Sequence, residues 1–464
     1  MPSGLDVFSP SVQDRWDVTK AGHLLRRAGF GALPSEVASA LESGPERAVD
    51  ALFDAPSGLE TPPPFDAIRP AEARADAVFR DVLRAKITPK DSPEVRAAYE
   101  EVNRAHARGI VALTSWWLER MARTQAPLRE KLTLFWHGHF TSSFGDVHDA
   151  VAMYNQNQLF RQHAAGNFAR LLDGVARDPA MLRYLNNDAN RKGHPNENWA
   201  RELMELFTMG IGHYSETDIR ESARAWTGWT LRGYRTFEDR RTFAFRGQLH
   251  DDGMKTFLGQ SGAFDGADIL RIILANPATP RFIAGKLAKF FVSPTPDPAL
   301  VEGMAQHLIA SGYELAPVLR ALFRSRAFYH PAVIHAQIKS PVEFVVGAVR
   351  HLGISAPDWG RLSPLTAEAG QHLFFPSTVK GWDGGKAWIN AATVFARANL
   401  AGDLLAGRLG TPNTTGLSSV ETMSAYLLQH PLSPGRRAIL ADIARGNRDA
   451  AIHLIMSLPD YQVA

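Results

Sequence analysis

Along nearly the whole chain, apolar residues recur every three or four positions in runs cut short by proline and glycine; strict alternation occurs in a single stretch. A spacing near 3.6 gives a helix one buried stripe, and a spacing of two gives a strand one buried face. The sequence therefore predicts a mainly α fold, a large multi-helix array with one small β-hairpin insertion. Helical spacing over Asp17 to Ala55 is interrupted at Gly29, Gly31, Pro34 and Gly44, and His23, Arg26 and Arg27 of the first helix read as packed or surface positions. A Pro-rich connector follows at 56–70, then long charged helices at 71–86 and 93–123, separated by the two prolines of TPKDSP. The alternating runs TLRGYRTF and RRTFAFRGQLH make the hairpin. These breaks suggest an N-terminal helical part (1–125), a central part with the polar motifs and the hairpin (126–262) and a C-terminal helical part (263–464).

Composition narrows the chemistry. No cysteine occurs in the 464 residues, which removes disulfides, thiolate zinc sites, iron–sulfur clusters and a Cys nucleophile. A formal net charge of only +3, with acids and bases interspersed, gives no phosphate-tracking surface, so no nucleic-acid partner is expected. The chain opens without an export signal and has no apolar run long enough to span a membrane. It reads as cytoplasmic as written, or periplasmic or secreted if an export signal has been removed.

Polar residues at helical spacing concentrate in residues 186–230. Pro195 suits a first helical turn and Gly210 and Gly212 an exit, predicting a helix from about Pro195 to Met209. On it Asn198, Arg201, Glu202 and Glu205 share one stripe, with Trp199, Leu203, Leu206 and Phe207 opposite. Two carboxyls three residues apart raise one another's pKa, and Arg201 can hold one of them ionised, so the pair can supply an acid and a base. His194 and Asn196 before the helix, and His213 and Tyr214 after it, add groups that donate, accept or transfer protons. Ser215 and Asp218 form a capping box for a second helix, closed by Trp226 and Trp229.

Two further stretches carry chemistry. In TLFWHGHFTSSFGDVHD, His137, His139 and Asp146 are candidate ligands, although on a helix the two imidazoles would point about 200° apart and joint ligation needs an extended chain. The loop FFPSTVKGWDGGKAWIN holds Trp382, Trp388 and Asn390, and its glycines do not match a phosphate-binding loop. His250 and Asp251 follow the hairpin as a possible partner cluster for the Glu-bearing helix.

HLLRRAGFG (23–31), KLTLFWHGHF (131–140), PNENWARELMELFTMGIG (195–212), ARAWTGWT (223–230), HDDGMKTFLG (250–259), KSPVEFVVG (339–347) and KGWDGGKAWIN (380–390) together resemble the signature blocks of the bacterial family catalogued as domain of unknown function 1800. The resemblance covers nearly the whole chain. It implies a largely helical fold and shared polar blocks, brings no established activity, and implies an association with exported proteins. Phe207 stands where that family often has His, so no catalytic role is given to it.

Three functions are weighed. The first is an enzyme, hydrolase or lyase, acting by acid–base chemistry on a polar, carbohydrate-like small molecule or oligosaccharide. Glu202, Glu205, Arg201, His194 and Asp251 would be its catalytic groups, and Asn196, Asn198, Trp229, His250, Trp382, Trp388 and Asn390 would bind substrate. The second is a hydrolase or oxidoreductase in which His137, His139 and Asp146 or Glu202 converge on a divalent metal ion. The third is a non-catalytic helical binding or assembly protein whose polar blocks fix buried hydrogen-bond networks.

Overall fold

Proline sets the starting points of this fold, because its missing N–H costs nothing in a first helical turn. The helices Pro34–Ser43, Pro45–Asp54, Pro93–Arg123, Pro127–His139, Pro179–Tyr184, Pro298–Ala310, Pro341–His351 and Pro434–Gly446 all begin on one. The computed structural model describes residues 4–55, 61–86, 88–89 and 92–464. Part of the Pro-rich connector at 56–70 and part of the TPKDSP turn lie outside the described residues. Among the described residues about 61% are helical, and the strands form two antiparallel two-stranded sheets.

The expected hairpin is present but short. Trp229–Leu231 pairs with Phe243–Phe245 in the register Trp229 to Phe245 and Leu231 to Phe243, so residues 232–242, which hold most of the first alternating run and the start of the second, form the loop between the strands. A second hairpin, Lys255–Phe257 with Gln260–Gly262, turns on Leu258 and Gly259, both at positive φ (46° and 77°). Three-residue strands leave too little alternation to be read in advance.

Buried apolar side chains form two clusters. One joins residues 5–52 to the helices around Trp136, Phe168, Leu203, Trp226 and Phe291. The other joins the long helix Pro93–Arg123, through Leu113, Trp117 and Met121, to Val345, Leu400 and Ile455. Each of the three sequence parts contributes to both clusters. Full burial of an aliphatic or Phe side chain stabilises by roughly 1.5–3 kcal/mol, so these stripes fix where the polar blocks between them come to lie. The helix Pro127–His139 borders both clusters and carries its histidines to the junction. Among the described residues no helix is long and apolar enough to cross a membrane.

Candidate functional site

The predicted helix over Pro195 to Met209 begins later and changes character midway. Asn190 Oδ1 accepts the Asn196 N–H at 2.9 Å, and Asn196 Oδ1 accepts the Asn198 N–H at 2.9 Å, so these amides shape the approach to the helix. The α-helix Asn198–Glu202 passes directly into a π-helix, Leu203–Thr208. The Met209 N–H reaches back to the Met204 carbonyl at 3.0 Å, and the Thr208 hydroxyl donates to the Leu203 carbonyl at 2.5 Å. Widened turns of this kind are frequent at functional sites. Here one begins directly after Glu202 and carries Glu205.

Both carboxyls are half-buried. Burial and then the neighbouring Glu205 charge push the Glu202 carboxyl up, with Arg201 and Lys380 opposing. Tyr214 donates its O–H to Glu205 Oε2 at 3.1 Å. Burial, that hydrogen bond and the Glu205 charge raise the Tyr214 phenol to about 12. Tyr184 is likewise raised to about 12 by burial and by the charges of Asp146 and Glu202, which brings Asp146 into the same group. Arg201 has a different partner from the one expected. It forms a fork on Glu216, at 2.9 Å to each oxygen, and reaches Glu197 at 3.2 Å.

Two lysines complete the group, and neither was singled out from the sequence. Lys380 lies within electrostatic reach of Glu202. Lys286, on the helix Ala278–Phe291, is pushed down by burial and by the charges of Lys289 and Lys380. What brings the 380 loop in is Gly381 at φ +80°, where a Cβ would stand 2.5 Å from the Gly138 carbonyl oxygen and 3.3 Å from the Thr141 hydroxyl. A side chain there would hold Lys380 and Trp382 away. Trp382 is half-buried, its ring 5.7 Å from that of His137. The blocks at 137–146, 202–214 and 380–382 thus converge.

The histidines do not converge on each other. The helix runs through His139 rather than becoming extended after Trp136, so the two imidazoles diverge as helical geometry requires. His137 Nε2 accepts the Phe374 N–H at 3.1 Å, and His139 Nε2 lies 3.0 Å from the Phe207 carbonyl, to which it donates. Burial pushes both down to about 3; for His139 the Lys286 charge adds to this and the Phe207 carbonyl opposes it. Among the described residues no group of three or more His, Asp or Glu is placed to hold a metal ion, and Asp146 is exposed.

Other expected site residues serve elsewhere. Trp229 is 3% exposed, packed edge-on against Trp226 with the Arg177 guanidinium over its ring, so it is a core plug with no face for a sugar. Trp388 is buried as well, and Asn390 caps the helix Ala391–Leu405 by accepting the Thr393 N–H. Asp251 is bound by Arg224 and accepts the Gly253 N–H, while His250 Nδ1 lies 2.9 Å from the Thr227 carbonyl. These bonds tie the second hairpin to the helix Glu216–Ala225, not to the carboxyl pair. His194 and Asn198 are exposed.

Fold and site together define a large helical protein in which two carboxyls at an α-to-π junction are grouped with Tyr214, Tyr184, Lys286 and Lys380. The sequence model described as Protein of unknown function (DUF1800) matches residues 23–463, and the chain belongs to that family. No curated protein and no solved structure matches it.

Proposed function

We propose that the chain is an acid–base enzyme of the lyase type acting on a hydroxyl-bearing, acidic carbohydrate-like substrate. The observation that carries this reading is the half-buried pair Glu202 and Glu205 at the junction of the α-helix and the π-helix, where burial and the Glu205 charge push the Glu202 carboxyl up. A carboxyl so raised keeps its proton nearer neutral pH and can give it up in a transition state. Glu205, oriented by Tyr214, is the base.

Two carboxyls three residues apart on one face of a helix lie on the same side of a bound molecule. A glycosidic displacement instead needs a pair about 5–9.5 Å apart flanking the bond. One-sided elimination suits the arrangement. Glu205 takes a proton from carbon, the C–H electron pair becomes the new C=C bond as the adjacent C–O bond breaks, and Glu202 passes its proton to the departing oxygen. The Lys380 and Lys286 ammonium groups supply positive charge for a substrate carboxylate, which makes the adjacent C–H more acidic. Trp382 offers a partly open ring to a sugar face. The metal-dependent alternative finds no support in the divergent histidines.

The test is a screen of polyuronates and related acidic oligosaccharides for the ultraviolet absorbance of a new conjugated double bond. On any substrate found, Glu202→Gln and Glu205→Gln should each lower turnover by about 10²–10⁴-fold. Full turnover in both variants would remove the assignment.

A further inference from the structure

Around the helices Val18–Ala28 and Pro341–His351 the protein buries an excess of positive charge. Arg26, Arg27, Lys131, Lys339 and Arg397 are all at least nine-tenths buried. Lys131 pairs with Glu343. Among the described residues none of the other four forms an ion pair. Arg27 donates to the Phe290 and Phe291 carbonyls, Lys339 to the Tyr461 carbonyl at 2.6 Å, and Arg397 to the Lys339 carbonyl at 2.8 Å. These groups act on one another: Lys339 is pushed well down by burial and then by Arg26, against the pull of Glu343. A lysine can shed its proton when buried, but a guanidinium does not, so three positive charges persist whatever Lys339 does. Interior charge of one sign is costly unless an anion answers it.

Arg26 shows where that anion belongs. Its Nη1 donates to the Gln429 side-chain oxygen, while Nε and Nη2 meet no acceptor. Those two nitrogens form the edge of the guanidinium that grips carboxylates and phosphates side-on. His335, which senses the charges of Arg26 and Lys339, also has both ring nitrogens buried without a partner. Its ring meets that of His430 at 4.9 Å. His430 and Gln429 in turn line a cavity of about 340 Å³, together with Thr19, Leu432 and the oppositely charged Glu421 and Arg437.

We propose that this cluster is a binding site for a small phosphorylated ligand, its phosphoryl group held by Arg26 and His335 and its body in the adjoining cavity. A phosphoryl group fits better than a carboxylate. It brings up to two negative charges and three acceptor oxygens to a site with more than one surplus cation and unpartnered donors at Arg26 Nε, Arg26 Nη2 and one ring nitrogen of a neutral His335. The site is built from residues other than those of the Glu202 cluster and does not depend on the reaction assigned there.

The experiment uses the full chain in a low-salt buffer free of phosphate and sulfate. Inorganic phosphate and phenyl phosphate are titrated by calorimetry and by thermal unfolding, with benzoate, and sodium chloride at matched ionic strength, as controls. Saturable heat and a raised unfolding midpoint are expected with both phosphates, more strongly with phenyl phosphate. Arg26→Gln should weaken phenyl phosphate binding by about tenfold or more, the loss of a charged hydrogen bond. His335→Phe keeps the ring against His430 while removing both nitrogens and should also weaken binding, which keeps the test decisive if Arg26→Gln does not fold. Equal shifts from chloride or benzoate, or undiminished phosphate binding in either folded variant, would overturn the proposal.

Discussion

Arg161 grips Glu130 through two hydrogen bonds, Nε at 2.7 Å and Nη2 at 2.9 Å, with both side chains buried. Arg120 Nε and the Trp117 indole N–H, at 2.6 and 2.9 Å, add two more donors. Burial pushes the Glu130 carboxyl up, but Arg161 and Arg120 more than offset that and hold it below its usual range. Removing the acid strands buried cations, which is costlier than deleting the whole pair. Glu130→Ala should therefore destabilise by about 3–5 kcal/mol in urea unfolding at neutral pH. Glu130→Leu with Arg161→Met should recover much of the loss. Because the folded pKa is the lower one, the stability from Glu130 is complete above the ordinary carboxylate range and drains away as pH falls through the folded value.

The two buried imidazoles make a separate prediction about acid. His137 and His139 are held neutral, with folded values of about 3 against about 6.5 in an unfolded chain. Between those values the unfolded state binds two protons that the folded state refuses. Stability contributed by these groups is full above about pH 6.5 and falls as pH drops below it, by about 1.4 kcal/mol per pH unit for each histidine. His139→Gln keeps a donor for the Phe207 carbonyl and removes one titrating group. Unfolding free energies from pH 7.5 to 4.5 should show a slope shallower by one proton, whatever the variant's stability at neutral pH.

The tryptophans separate core from site. Trp229→Ala removes a ring buried among Trp226, Phe243 and Arg177 and should cost about 3–5 kcal/mol in denaturant unfolding. Trp382→Ala removes a half-buried ring and should cost less stability, while raising KM for a substrate of the Glu202 cluster more than any change seen in a folded Trp229→Phe protein.

Helix identity was legible because the apolar stripes and the prolines are local signals. The Ser215 and Asp218 capping box, for instance, stands where its spacing put it. The shared face of Glu202 and Glu205 was legible for the same reason. The π-turn beneath them was not, since an added residue per turn leaves the order of residue types unchanged. Only Gly210 at φ +81° and the Thr208 hydroxyl mark it, and both also suit an ordinary helix end. Lys380 and Lys286 were invisible because their position depends on the approach of Gly381 to Gly138, a contact between residues more than 200 apart in sequence. Trp229 and Asp251 misled because an aromatic or an acid beside polar residues looks the same whether its partners are other residues of the fold, as Trp226 and Arg224 are, or a ligand.

The central claim is that burial and the neighbouring Glu205 charge raise the Glu202 carboxyl. Side-chain carboxyl NMR of protein labelled with ¹³C at glutamate can follow Glu202 through an acid titration, assigned by its loss in Glu202→Gln. The account predicts that Glu202 titrates above the ordinary glutamate range and moves back toward it in Glu205→Gln, where the neighbouring charge is gone. A Glu202 that titrates at the ordinary value, or that does not respond to the loss of Glu205, would contradict it.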